Sequence, residues 1–238
     1  IVDLVARAGL QGIEWGGDVH APHGDVAQAR RVRQLTVDAG LEVVTYGSYY
    51  RVGHSETGPF GAVLESALAL GAPTIRVWAG RRGSRDADDA YWAQVVEDAQ
   101  SIADQARRAG VQIAFEYHGN TLTDTRESAR RLLLAVDRPN VGSFWQPPLD
   151  ASRAENLLGI DAVAPWLRHV HVFSWRRTPG GRERLPLAAL EEDWRVYLGR
   201  VRALPSDRYA LLEFVRNDDP EQFLADATCL ARLVKVSG

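Results

Sequence analysis

The sequence predicts an α/β protein built as a closed barrel of parallel strands, and three observations carry that prediction. Short apolar runs alternate along the chain with amphipathic helical patterns, and strict β–α alternation specifies a parallel sheet. A phrase of Ala-Gly, one or two residues and then an apolar run recurs at Ala8-Gly9, Ala39-Gly40 and Ala109-Gly110, with Leu70-Gly71 as a variant. Each such unit is about 30 residues long, the size of one βα module. Seven strands can be read, and a helical stretch, IVDLVARAGL, precedes the first of them. The expected architecture is therefore a (β/α)8 barrel, a TIM barrel, with its first strand missing from the given sequence. An open doubly wound sheet is the alternative, but a nucleotide binder of that type needs a glycine-rich phosphate loop after its first strand, and the sequence has none.

The strands are expected at Gly12–Trp15, Glu42–Gly47, Thr74–Trp78, Val111–Tyr117, Val141–Gln146, His169–Ser174 and Tyr209–Val215. Each is a short run of β-branched and aromatic residues. Helical periodicity places helices at Val26–Ala39, Gly61–Leu70, Ala90–Ala109, Glu127–Val136 and Leu187–Leu204. A last helix starts at Asp219-Pro220, an N-cap followed by proline at the first helical position. It runs to about Val236 with Phe223, Leu224, Ala227, Leu230, Leu233 and Val234 on one face. The recurrent glycines suit left-handed positions where helices end. No shift in composition marks a linker, so residues 1–238 read as one domain.

Composition narrows the function classes. A net charge of -3 argues against a constitutive nucleic-acid partner or an anionic membrane surface. No apolar run approaches the roughly 18 residues that span a bilayer, and no signal peptide is visible. The single cysteine, Cys229, excludes an intrachain disulfide and suits a reducing cytoplasm. The chain contains no methionine and opens inside a helical pattern, so an upstream segment is expected. A homo-oligomer is compatible with this reading.

In a parallel barrel the ligand site lies at the C-terminal ends of the strands. There the sequence places Glu14 and Trp15, Tyr46, Arg76 and Trp78, Glu116 and His118, Trp145 and Gln146, His171 and Trp175, and Glu213. The stretch AFEYHGN delivers Glu116 and His118 two residues apart, on one strand face. Glu116, Gln146, His171 and Glu213 end the last four strands. Two carboxylates, an imidazole and an amide oxygen form a ligand set for one divalent ion, Mn²⁺ or Mg²⁺ before Co²⁺ or Zn²⁺. The competing reading pairs the carboxylates with arginines such as Arg76 and Arg177. Glu14 and Arg76, on alternate strands of one interior layer, are expected to form an ion pair, and His169 to be a hydrogen-bonded core histidine. Trp15, Trp145 and Trp175 are expected as aromatic walls against the C–H face of a sugar, with Trp92, Trp166 and Trp194 in the core. Tyr46, His118 and Arg177 are further substrate contacts, and His20 reaches substrate from the loop Gly16 to Asp25 while His23 faces solvent. GSYYRVGHSE adds Tyr49, Tyr50, Arg51 and His54 near the same mouth, and RRGSRDADD reads as a mobile polar loop.

GIEWGGDVHAPHGD, the Glu116 strand, HVHVF and LLEFV together resemble the sugar phosphate isomerase/epimerase family, the xylose-isomerase-like TIM-barrel group that includes tagatose epimerases and inosose dehydratase. The resemblance spans the chain. It implies that Glu116, His171 and Glu213 are metal ligands from the fifth, seventh and eighth strands. The family's sixth strand supplies an aspartate with a histidine three residues later; here those positions hold Gln146 and Leu149, one charge and one substrate contact fewer. The implied chemistry is proton transfer beside a carbonyl of a sugar or sugar derivative through an enediolate, with Glu116 and Glu213 as the facing catalytic pair: a metal-dependent isomerase or epimerase. Loss of hydroxide after proton abstraction would instead give a dehydratase of a keto-sugar or inosose. A metal-free sugar-binding homologue is the other alternative. A repair endonuclease on this barrel would need a multi-zinc cluster rich in His and Asp and a basic groove, and six histidines with a negative net charge do not supply them.

Overall fold

The computed structural model describes residues 1–54, 56 and 58–235. The chain runs α1 (Val2–Arg7), β1 (Gly12–Gly16), α2 (Val26–Asp38), β2 (Glu42–Arg51), α3 (Phe60–Leu70), β3 (Thr74–Trp78), α4 (Asp89–Arg108) and β4 (Gln112–Glu116). It continues through α5 (Arg126–Val136), β5 (Val141–Trp145), α6 (Arg153–Val163), β6 (Leu167–Val172), β7 (Ser174–Thr178), β8 (Gly181–Leu185), α7 (Glu191–Arg202), β9 (Ala210–Leu212) and α8 (Pro220–Lys235). The expected end of the last helix at Val236 lies outside the described residues.

One sheet of seven parallel strands, in the order β1-β2-β3-β4-β5-β6-β9, curls into a nearly closed barrel with the long helices outside. All seven expected strands form and pair in chain order. The repeated glycines end their helical turns at left-handed φ, Gly9 at 69°, Gly40 at 73°, Gly71 at 75° and Gly110 at 74°. Between the edge strands the Tyr209 hydroxyl donates to Glu42. No helix among the described residues is long and apolar enough to cross a membrane.

Three elements differ from expectation. β2 extends to Arg51 across an irregularity between Gly47 and Tyr50, so Tyr49 and Arg51 belong to a strand. The sixth expected strand divides at Phe173: β6 stays in the barrel, and β7 pairs antiparallel with β8 as a separate hairpin. The helix α6 was unanticipated, although Ser152 and Glu155 form a complete capping box at its start.

Strand alternation sorts the side chains into two populations. Ile75, Val77, Ile113, Phe115, Trp145, Val170 and Val172 pack into the apolar layer under the helices. Their neighbours of opposite parity, Arg76, Glu116, Gln146 and His171, are buried and polar. In the barrel interior Phe144 packs edge-on against His169 and His171, at 4.9 and 5.5 Å between ring centroids. His169 accepts the Tyr209 backbone N–H at Nδ1 (3.1 Å), and burial pushes its pKa down to about 4, so it is a neutral core histidine as expected.

Candidate metal centre and active site

β4 ends at Glu116 and β6 carries His171, while Glu213 lies one residue beyond β9, its backbone N–H bound to the Val172 carbonyl at 3.0 Å. These strand ends bring one ligand atom each of Glu116, His171 and Glu213 within 4.8 Å of one another. Gln146, one residue past β5, lies between them. Its Nε2 donates to Glu116 Oε1 at 3.2 Å, and its Oε1 lies 2.9 Å from His171 Nδ1. His171 Nδ1 is also 3.5 Å from Glu213 Oε2 and 4.0 Å from Glu116 Oε1. The four residues expected to form a metal set are thus gathered at one point.

The expected Glu14–Arg76 pair also forms, with Arg76 Nε and Nη2 at 2.9 and 2.8 Å from Glu14 Oε1. Its close packing requires Gly47, where a Cβ would stand 2.6 Å from Arg76 Nη2. Arg76 reaches further than a simple pair. Its Nη1 and the Trp78 indole N–H both donate to Glu116 Oε2. The reading that set carboxylates against arginines therefore holds for one oxygen of Glu116, and Oε1 remains on the side of His171 and Gln146. Arg177 pairs elsewhere, with Asp150.

Electrostatics separate the two glutamates. Burial raises the Glu116 pKa, but the charges of Arg76 and His171 with the Trp78 hydrogen bond together outweigh it, and the carboxyl sits below its ordinary range. Burial, with the charge of Glu116, holds Glu213 above its ordinary range despite His171. Burial also opposes ionisation of Glu14, yet Arg76 and His171 bring it to about 2. For His171 burial is outweighed by Glu213 and Glu14, and its pKa is raised. Glu213 Oε2, Glu14 Oε2 and His171 Nε2 are buried without a hydrogen-bond partner among the described residues. Of these, Glu213 Oε2 faces the cluster, and an orphaned oxygen there, beside a donor set of two carboxylates and one imidazole, fits a divalent cation.

Beside this cluster a cavity of about 430 Å³ opens, lined by His118, Gln146, Leu149, Trp175, Arg177 and Arg182 among others. His118 stacks on Trp78 with centroids 4.6 Å apart. Its Nδ1 lies 2.6 Å from the Gly119 carbonyl, so Nδ1–H donates there and Nε2 is the ring nitrogen left to exchange a proton with a bound molecule. Trp175 stacks on Phe214 at 5.0 Å, and Arg182 lies over Trp175 at 4.7 Å. Phe214, directly after Glu213, has φ 54°, and Tyr49, 5.6 Å from Trp78, has φ 55°. Left-handed conformations at bulky residues cost of order 1–3 kcal/mol and cluster at functional sites.

The other expected contacts point elsewhere. Trp15 is buried against α2, its indole N–H donating to Thr36 at 3.1 Å. Tyr46 is fully buried and donates to the Ala21 carbonyl at 2.6 Å. Trp145 packs between the sheet and α7, 6.3 Å from Trp194 and 5.6 Å from Tyr197. The reason is common to all three: each is on the helix-facing parity of its strand, whereas Glu14 and Gln146, adjacent to two of them, face inward. His20 follows Trp15, with ring centroids 5.3 Å apart, and does not line the cavity. Of the expected walls, Trp175 lines the cavity while Trp15 and Trp145 do not; the expected contact Tyr46 is also absent from it, and the His118 ring, backed by Trp78, takes part in the lining. Trp78 shares its parity with Arg76, the signal that would have singled it out; the hairpin residue Arg182 had none.

A family model described as xylose isomerase-like TIM barrel matches residues 2–233. A 3-dehydroshikimate dehydratase of Bacillus anthracis is 27% identical over 188 residues, 72% of this chain and 64% of the relative, so the match covers under two thirds of that protein's length. The crystal structure of the probable 3-DHS dehydratase AsbF from Bacillus anthracis superposes with a TM-score of 0.78 at 22% identity, over 97% of this chain and 92% of the other. A D-psicose 3-epimerase from Clostridium cellulolyticum superposes with a TM-score of 0.68 at 16% identity, over 98% and 91%. At these identities the two solved structures support the fold.

Proposed function

The chain belongs to the xylose isomerase-like TIM-barrel family, and on that premise we propose that it is a divalent-metal-dependent dehydratase of a small polyhydroxylated carbonyl compound. Glu116, His171 and Glu213, with the Gln146 amide oxygen, would hold the ion, Mn²⁺ or Mg²⁺ before Co²⁺ or Zn²⁺. Such an ion supplies Lewis-acid polarisation of a substrate carbonyl and stabilises negative charge developing on its oxygen.

The observation that carries the reading is the unequal state of the two glutamates. Glu116 has both oxygens engaged by donors, from Arg76, Trp78 and Gln146. It suits a permanent carboxylate ligand and makes a poor proton carrier. Glu213 has an oxygen with no hydrogen-bond partner among the described residues, and His118 offers Nε2 in the cavity. Epimerisation needs opposed carriers on the two faces of one carbon, the role foreseen for Glu116 and Glu213. Dehydration needs one group to take the proton beside the carbonyl and another to protonate the departing hydroxyl. Glu213 is assigned the first task and His118 the second: the C–H and C–O bonds break, a C=C bond forms and water leaves. The 27% identical dehydratase supports the same outcome. Arg182, above Trp175 at the cavity rim, suits an acidic group on the substrate.

The test is product analysis of the Mn²⁺-loaded protein with 3-dehydroshikimate, in which loss of water creates an aromatic chromophore, alongside a panel of ketoses followed for deuterium uptake. Aromatic absorbance is expected; deuterium uptake and epimer formation with a ketose would favour the second reading, a sugar isomerase or epimerase. That reading draws on the presence of both glutamates in one cluster.

Gln146 sets the strength of the site. Gln146→Asp adds a negative charge beside the cluster, and Mn²⁺ affinity is expected to rise about tenfold or more by electron-spin titration, since even a strongly screened charge at this range exceeds about 1.4 kcal/mol. An unchanged affinity would place the ion away from Gln146.

A further inference from the structure

Glu14 lies on the far side of His171 from the candidate metal ligands. Its Oε1 is 3.6 Å from His171 Nε2, while Nδ1 of the same ring faces Gln146, Glu116 and Glu213. Nε2 and Glu14 Oε2 are both buried and have no hydrogen-bond partner among the described residues. Glu14 is itself held by two donors of Arg76, and Arg76 is held in turn by Glu116. A ring therefore closes through Glu14, His171, Gln146, Glu116 and Arg76.

We infer that Glu14 is a positioning residue for His171: it accepts the Nε2–H and fixes the ring, so that Nδ1 faces the ligand cluster, where it donates to Gln146 Oε1 in the metal-free protein and would present its lone pair to a bound cation. A histidine that binds a metal through one nitrogen commonly donates its other N–H to a carboxylate, and removal of that partner typically weakens the metal 10–100-fold. The Arg76 clamp gives the arrangement its precision, because a carboxylate pinned by two guanidinium donors cannot follow the ring if it rotates. The same guanidinium touches Glu116, so one cation fixes a ligand directly and a second ligand through Glu14. The inference rests on the proposed metal site for its affinity readout.

The experiment compares wild type with Glu14→Leu and Glu14→Gln in Mn²⁺ titrations and in ¹⁵N spectra of the histidine rings, recorded metal-free and with Zn²⁺. Glu14→Leu is expected to weaken Mn²⁺ binding about 10–100-fold, with Glu14→Gln, which keeps an acceptor oxygen, between it and wild type. An exchange-protected Nε2–H signal of His171 is expected in wild type and lost in Glu14→Leu. A merely structural role of the Glu14–Arg76 pair would lower the melting temperature and leave that signal unchanged. Wild-type affinity and an intact His171 signal in Glu14→Leu would overturn the inference. If wild type bound no Mn²⁺ the metal site would fail, and the metal-free spectra would still decide the role of Glu14. If Glu14→Leu does not fold, Glu14→Gln carries both readouts.

Discussion

Glu213→Gln is expected to lower turnover by about 10²–10⁴-fold, the range for loss of a positioned acid–base group. The side chain keeps its volume and an oxygen that can face a cation, but it no longer carries a proton between carbon and solvent. His118→Gln should separate the two halves of the reaction. With the leaving hydroxyl left unprotonated, the carbon beside the carbonyl still exchanges its proton for deuterium while product formation falls. Glu213→Gln should lose exchange and product together. Mass spectrometry of recovered substrate from D₂O distinguishes the two patterns, and the opposite assignment would exchange the roles of the two residues. Full activity in Glu213→Gln would remove Glu213 from the chemistry.

Arg76→Met is expected to have the largest effect on stability. Arg76 is 3% exposed and joins Glu14 and Glu116, so its removal strands two carboxylates in the barrel interior. Breaking a buried pair by deleting one partner costs about 3–5 kcal/mol, roughly a 10 °C loss of melting temperature in a chain of this size. Arg76→Lys should recover part of the loss, because an ammonium holds one carboxylate well but cannot bridge two with a planar fork. Added Mn²⁺ should also restore melting temperature in Arg76→Met, since a cation at the cluster neutralises the freed Glu116. A variant as stable as wild type would contradict the charge arrangement described here.

Much of this was legible in the sequence because a parallel barrel converts strand order into spatial order. Once the seven strands were read, Glu116, Gln146, His171 and Glu213 had to meet at one end, and they do. The Glu14–Arg76 pair was legible for the same reason, from alternate strands sharing an interior layer. The aromatic walls were less so. Reading the last two residues of each strand mixes both faces, and Trp15 and Trp145 stand next to Glu14 and Gln146 in sequence but on the helix side in space. Parity relative to an ionic neighbour would have selected Trp78 instead. The hairpin was obscured by its composition: Arg176, Arg177, Arg182 and Arg184 suggest solvated charge, whereas Glu183, Asp150 and Asp218 pair with three of them and allow strand pairing. Parity points Trp78 inward, but its indole bond to Glu116 had no sequence signature, because it depends on how far β3 advances beside β4.

The central claim is that Glu116, His171 and Glu213 hold one divalent ion despite the Arg76 clamp. Its most direct test is anomalous scattering from crystals grown with Mn²⁺ and measured on both sides of the manganese absorption edge. A single peak within bonding distance of Glu116 Oε1, a His171 nitrogen and a Glu213 oxygen is the expected result, with Arg76 still on Glu116 Oε2. No peak at the cluster at saturating Mn²⁺, with Glu116 bound only by Arg76, Trp78 and Gln146, would contradict it.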